Sequence, residues 1–175
     1  MNFYFHPIIA YGYPEPIFIH KRSENAWKIY MICLAQSEKS SLIYKDRLNI
    51  EKIYHSAINN LFSTLLINTS SGQDLSVHYH KEGDIHPALS VSYKDFKGAS
   101  KKQTVFRIRQ GDLRLYFIYR SKRTIILLKL MVKHTDDLTD SEKNYLSKLA
   151  SIVLKMKDPD DIENRILHVR EGRIV

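Results

Sequence analysis

The sequence predicts an α+β fold, and three observations predict it. An apolar stripe at helical spacing runs through residues 50–66, period-two alternation takes over from residue 75 to 132, and a capping motif at Thr139 opens a second amphipathic helix. The architecture expected is N-terminal helices packed on an antiparallel β-meander, followed by C-terminal helices.

The elements follow in order along the chain. Ser23 is a candidate cap for a helix over 24–36, with Ala26, Trp27, Tyr30, Met31 and Leu34 on one side. Asn49 is a candidate cap for the next, in which Ile50, Ile53, Tyr54, Ala57, Ile58, Leu61, Phe62, Leu65 and Leu66 keep the i, i+3, i+4 rule. That stripe must lie on a core. Two half-buried strands are then expected, Leu75 to His80 (LSVHYH) and Leu89 to Tyr93 (LSVSY). Three more follow at 104–109, 113–120 and 124–132. The connections, Gln110-Gly111-Asp112 and Ser121-Lys122-Arg123, are short enough to require antiparallel neighbours. The last of these strands is apolar on both faces, which suits the centre of a sheet. Thr139 and Glu142 form an S/T-x-x-E capping box for a helix over about 140–157, with Tyr145, Leu146, Leu149, Ile152, Val153 and Met156 on its buried side. Asp158-Pro159 opens a shorter helix near 159–169, and the tail REGRIV finishes as a strand.

With 175 residues, 43% hydrophobic and 11% aromatic, the chain can fill one good core or two small ones, and disorder is excluded. The single cysteine, Cys33, lies in an apolar stretch and has no partner for an intramolecular disulfide, which points to a reducing, cytoplasmic setting. The apolar start has no basic n-region and is broken by Pro7, Pro14 and Pro16, so neither a signal peptide nor a membrane span is expected.

Formal net charge is +8, and its distribution matters more than its size. Between Val91 and His134 there are twelve Lys and Arg residues against Asp95 and Asp112, a surplus of ten, so the rest of the chain is close to −2. Strand alternation then decides which of these cations can cooperate. Arg107 and Arg109 share one face of their strand, opposite Phe106 and Ile108; Arg114, Tyr116 and Arg120 share a face of the next, opposite Leu113, Leu115, Phe117 and Tyr119. Arg107, Arg109 and Arg114 are therefore expected together on an exposed sheet face beside the turn. Three guanidiniums repel one another, and a bound anion offsets that repulsion. The alternative is a set of solvent-side partners for acids. His78 and His80, at i and i+2 with His86 nearby, have the spacing of a metal pair. Beyond Glu82 and Asp84 nothing completes a ligand set, and no metal or cofactor is expected.

From about residue 94 to 150 the chain resembles the RelE/HigB-type toxins of bacterial toxin–antitoxin modules. The pieces are FRIR (Phe106 to Arg109), GDLRLYF (Gly111 to Phe117), IILLKL (Ile125 to Leu130), VKHT (Val132 to Thr135) and the Thr139-capped helix, approached through the basic DFKGASKK (Asp95 to Lys102). The resemblance implies a RelE-like α+β domain over 46–175, with 1–45 an N-terminal extension of unnamed role. It implies metal-independent endonucleolytic cleavage of mRNA, usually on the ribosome: the RNA 2′-hydroxyl attacks the neighbouring phosphate, the 5′-oxygen leaves, and a 2′,3′-cyclic phosphate forms. That chemistry needs stabilisation of the charge on phosphorus and proton transfer at both ends.

Carried over residue by residue, Arg114 binds the scissile phosphate, and Arg107 and Arg109 orient the RNA and help activate the attacking hydroxyl. His134 stands where relatives have Arg or Lys. It is either an acid–base group, as histidine suits near neutral pH, or the close of a strand. Lys94, Lys97, Lys101, Lys102, Arg120 and Lys133 are the expected RNA-binding residues. Tyr145 is the nearest match to a tyrosine of the family's last helix and equally fits the buried stripe, while Leu113 replaces the usual aromatic before the central arginine. An acidic antitoxin segment is the partner the resemblance implies, with mRNA and the ribosome. Two other readings stay open, a non-enzymatic RNA- or ribosome-binding module and a gyrase-poisoning ParE-type toxin.

Overall fold

The computed structural model describes residues 3–7, 26–35, 37–79, 84–95, 97–121, 123–156 and 159. The helix expected at 159–169 beyond its first residue, the C-terminal strand, Ser23, His80, Glu82 and Lys122 lie outside those residues.

The chain is α+β, and the described residues hold four helices and a six-stranded mixed sheet. The strands are β1 (Tyr4–Pro7), β2 (Lys28–Cys33), β3 (Ile85–Lys94), β4 (Ser100–Gln110), β5 (Leu113–Ser121) and β6 (Thr124–Val132), in the spatial order β1-β2-β6-β5-β4-β3. From β3 to β6 the sheet is an antiparallel meander, as alternation and turn length require. Gly111 takes φ +58 in the β4–β5 turn, a conformation that favours glycine. The helices are α1 (Leu42–Asn49), α2 (His55–Ser70), the single turn α3 (Leu75–His78) and α4 (Asp140–Lys155).

Two expected elements change type. The helix expected over 24–36 is instead strand β2, which runs parallel to β6 with Lys28 opposite Thr124 and Met31 opposite Leu127. Every residue from Ile29 to Cys33 is buried, because both faces of the sheet are covered there. Such a strand shows no alternation, and its apolar run satisfies helical spacing by coincidence. The strand expected at 75–80 is the short helix α3: Leu75 is buried but Val77 is exposed, so the alternation had no sheet behind it. Nor does Asn49 cap α2, since it ends α1. A 3₁₀ turn at Lys52–Tyr54 follows, and the α2 core stripe begins at Ile58 and continues through Leu61, Phe62, Leu65, Leu66 and Thr69.

The sheet separates two cores. On one face α2 packs against Ile29, Met31, Leu115, Phe117 and Leu127. On the other, α4 lays Leu146, Leu149, Ala150 and Val153 on Tyr30, Val105, Tyr116, Ile118 and Leu128. β2 lies within this sheet, so residues 28–33 share both cores with the meander. Where β2 stops, α1 takes over the edge of β6. Asp46 accepts the Leu130 backbone N–H at 3.0 Å and the Lys129 ammonium at 2.6 Å, satisfying a strand edge that has no partner strand among the described residues. Among the described residues, no helix is long and apolar enough to cross a membrane.

Candidate functional site

The β4–β5 hairpin builds the site. Its register sets Arg109 directly opposite Arg114 and Arg107 opposite Tyr116, so three guanidiniums and a phenol share one face. Like charges directly opposed destabilise a strand pair, so this geometry requires a counter-anion. It comes from the loop after β6. Asp136 Oδ1 lies 3.1 Å from Arg107 Nη1 and 3.0 Å from Arg114 Nη2, and Oδ2 lies 3.1 Å from Arg109 Nη1. Arg114 Nε also donates to Oδ1 at 3.1 Å, while its Nη1 donates to the Gly111 and Leu113 carbonyls at 2.6 and 3.0 Å, locking the turn.

The expectation of an exposed arginine face is corrected here. The face is the one that α4 and the residue 133–139 loop cover, and it leaves Arg107 only 5% and Arg114 only 4% exposed. Arg107 lines the inner wall and the buried Arg114 shares its Asp136 oxygen, while the side chains of Arg109 and Asp136 are 39% and 43% exposed at the mouth. Partial desolvation raises the Asp136 carboxyl pKa, but Arg107, Arg114 and Arg109 together outweigh it and hold the group below the ordinary carboxylate value.

Two buried donors at this site lack a partner among the described residues, the Tyr116 hydroxyl and Arg107 Nε. Burial, reinforced by Glu142, pushes Tyr116 up to about 12 against the pull of Arg107 and Arg114, so the phenol stays protonated and able to donate. An open pocket of about 670 Å3 leads in from solvent, lined by His86, Arg107, Arg109, Asp136, Asp137 and Lys143 among others. His86 faces it because β3 places it opposite Arg107. Its Nδ1 lies 2.7 Å from the Pro87 carbonyl, which can only accept; Nδ1 therefore carries a proton, and in the neutral ring Nε2 holds the lone pair.

The other expected site residues are elsewhere. His134 is not with the arginines: its side chain is 76% exposed, pairs with Asp112 at 3.4 Å, and lines a separate pocket with Asp46 and Tyr54. Lys133 is not a free RNA contact, because its ammonium is held 2.5 Å from Glu142 and is largely buried. Arg120 donates to the Met156 carbonyl at 2.9 Å, capping the last turn of α4. Lys94, Lys97, Lys101 and Lys102 sit at the tip of the β3–β4 hairpin, where Asp95 accepts the Lys97 and Ala99 N–H groups and pairs with Lys101 at 3.4 Å. Six residues of strand separate Lys101 from Arg107, roughly 20 Å. Tyr145 is 41% exposed, with its ring 5.1 Å from Lys129 Nζ, so it belongs neither to the arginine site nor wholly to the core. His78 lies within hydrogen-bond distance of Ser71, and the described residues hold no group of three or more His, Cys, Asp or Glu placed to bind a metal.

Asp136, Tyr116, His86 and Lys143 surround the three arginines, where the sequence led to an expectation of His134 beside them. Tyr116 was legible by alternation; the others depend on a covering loop, the docking of α4 and a strand irregularity. No protein-family model, curated protein or solved structure matches the chain.

Proposed function

We propose that the protein is a toxin-type endoribonuclease that grips one RNA phosphodiester between Arg107, Arg109 and Arg114 and cleaves it without a metal. The observation carrying this reading is the convergence of three guanidiniums from adjacent strands on a single anion, Asp136, with a protonated phenol beside them. Donors so arranged match the charge that grows on phosphate oxygens during in-line attack, and they need no rearrangement as it grows. Arg107 and Arg114 take the non-bridging oxygens from the buried side, and Tyr116 donates to the same group. His86, rather than His134, takes the acid–base role, since its Nε2 lone pair lies on a ring that lines the pocket. The substrate is mRNA, on the ribosome as in the toxins the sequence resembles, and an acidic antitoxin segment is the regulatory partner. The lysine-bearing hairpin tip contacts a different phosphate from the one at the arginines.

One observation favours a second reading, binding without cleavage: all three guanidiniums already hold a carboxylate of their own chain. Mapping 5′ ends of a reporter message after induction in bacteria separates the two. Cleavage gives new ends in wild type that are lost in Arg107→Ala and strongly reduced in His86→Ala. Growth arrest without new ends removes the nuclease. New ends that persist in Arg107→Ala remove the site.

A further inference from the structure

The arginine site cannot stand empty of negative charge, and its own chain fills it. We propose that Asp136 is a built-in stand-in for the ligand's phosphate, so that phosphate enters by exchange with the Asp136 side chain and the site is closed to other anions while Asp136 is seated. The inference rests on reading the arginines as a phosphate site.

Three features support exchange over a permanent ion pair. The first is a count of donors. The two carboxylate oxygens are taken by Arg107 and Arg114 on one side and Arg109 on the other, yet the Tyr116 hydroxyl and Arg107 Nε remain buried without a partner among the described residues. A planar carboxylate has no third oxygen to offer them. A tetrahedral phosphate has two more, which in a phosphodiester are the ester oxygens, so the donor set is larger than its present occupant.

The second is the side from which Asp136 enters. The guanidiniums of Arg107 and Arg114 lie behind it, buried, while the carboxylate itself is 43% exposed at the pocket mouth. It leaves toward water without opening either core. The third is the way the loop is held. Its start is fixed by the Lys133 N–H donating to Asp112 at 2.8 Å and by the Lys133–Glu142 pair, and its end by the Thr139–Glu142 capping box. Asp136 sits midway between those anchors, with Leu138 packed partly on the α4-side core. A shift of residues 134–137 unseats it while both anchors and Leu138 stay.

The test uses Asp136→Asn, which keeps the shape and loses the charge, with Asp136→Glu as the charge-keeping control. Thermal melts are run in sodium phosphate and in sodium chloride at equal ionic strength. A labelled, 2′-deoxy-substituted RNA oligonucleotide that cannot be cleaved is titrated in parallel. Asp136→Asn is expected to melt below wild type in chloride and to regain several degrees in phosphate, while wild type and Asp136→Glu shift by under about one degree. The oligonucleotide is expected to bind Asp136→Asn about tenfold tighter than wild type, because the competent site is no longer fractionally populated. Equal phosphate shifts in wild type and Asp136→Asn overturn the exchange, as does oligonucleotide binding that is unchanged or weaker in Asp136→Asn. An Asp136→Asn chain that fails to fold in chloride and is not recovered by phosphate also overturns it. An oligonucleotide that binds neither protein at low salt, with the phosphate shifts as expected, leaves the exchange standing for inorganic anions and removes the RNA reading.

Discussion

Arg109→Ala is the substitution that separates binding from folding at the arginine site. Arg109 makes one hydrogen bond to Asp136, through Nη1 at 3.1 Å, and its side chain is 39% exposed. At an effective dielectric between about 20 and 80, a charge pair near 4 Å is worth roughly 1–4 kcal/mol, and measured exposed pairs fall at or below about 1 kcal/mol. Solvent at the pocket mouth places Arg109 at the lower end. Its loss also relieves the repulsion from Arg114 directly across the strand pair, an effect of about 0.2–1 kcal/mol in the opposite direction. Folding stability should therefore change by less than about 0.5 kcal/mol. A phosphate seated among the arginines loses one contact, about 1 kcal/mol or roughly fivefold in Kd, and the slope of log K against log salt becomes shallower by about 0.7 for a single strand. The assay is fluorescence anisotropy of the 2′-deoxy-substituted oligonucleotide at about 50 and 200 mM salt, with a urea melt of each protein. Unchanged affinity and slope would refute the reasoning, leaving the trio as an internal ion-pair device. A stability loss above about 2 kcal/mol would make Arg109 a structural residue.

Three further outcomes are expected. Arg114→Ala should lower stability by about 3 kcal/mol, seen as a drop of roughly 6–12 °C in Tm, because it removes one of the three partners of Asp136, strips both turn carbonyls of a buried donor and leaves a cavity. Asp46→Ala leaves the Leu130 N–H and Lys129 without their acceptor and should lose about 2–4 kcal/mol in a urea melt. Asp46→Asn should lose under about 1.5 kcal/mol, since burial already raises this carboxyl and a neutral side chain still accepts from Leu130. In acid, Asp136 and Glu142 are held below their ordinary values, so their stabilisation is complete above about pH 5 and is lost as pH falls through the native values. Asp46 is raised and works in the opposite sense. Melts between about pH 2.5 and 6 should show a decline that is shallower in Asp136→Asn, and equal declines would remove Asp136 as a source.

What could be read from the chain follows from how local each element's cause is. Thr139 and Glu142 announce α4 within one turn of helix, and Gly111-Asp112 announces the β4–β5 turn, so both stand where expected. β2 hid because its causes are distant: it is buried on both faces by α2 and α4, and burial on both faces erases alternation. His86 shows the same limit at the scale of one residue. Alternation back from Leu89, Val91 and Tyr93 puts Ile85 and Pro87 on the arginine face and His86 on the opposite one. A register shift between Pro87 and Leu89 reverses that parity and sets His86 across from Arg107. Alternation likewise put the three arginines on one face but said nothing about what covers it. The cover is an acid 22 residues beyond Arg114 and 27 beyond Arg109.

The two ends of the covering loop converge on one carboxylate. Glu142 Oε1 accepts from the Thr139 backbone N–H at 2.9 Å and from Lys133 Nζ at 2.5 Å, so the end of β6 and the start of α4 share an anchor. Between them Asp136 answers a need created by the β4–β5 register: setting Arg109 opposite Arg114 with Arg107 alongside costs stability that an anion there restores. Folding and binding thus make the same demand on the same three side chains. A phosphodiester carries one negative charge, as Asp136 does, so exchanging one for the other leaves the site's net charge unchanged. The choice between them falls to geometry, to whether the ester oxygens of the phosphodiester can reach Tyr116 and Arg107 Nε. Because the anchor at Glu142 lies outside the arginine site, that choice is made by the loop's middle residues, with α4 still docked on the sheet.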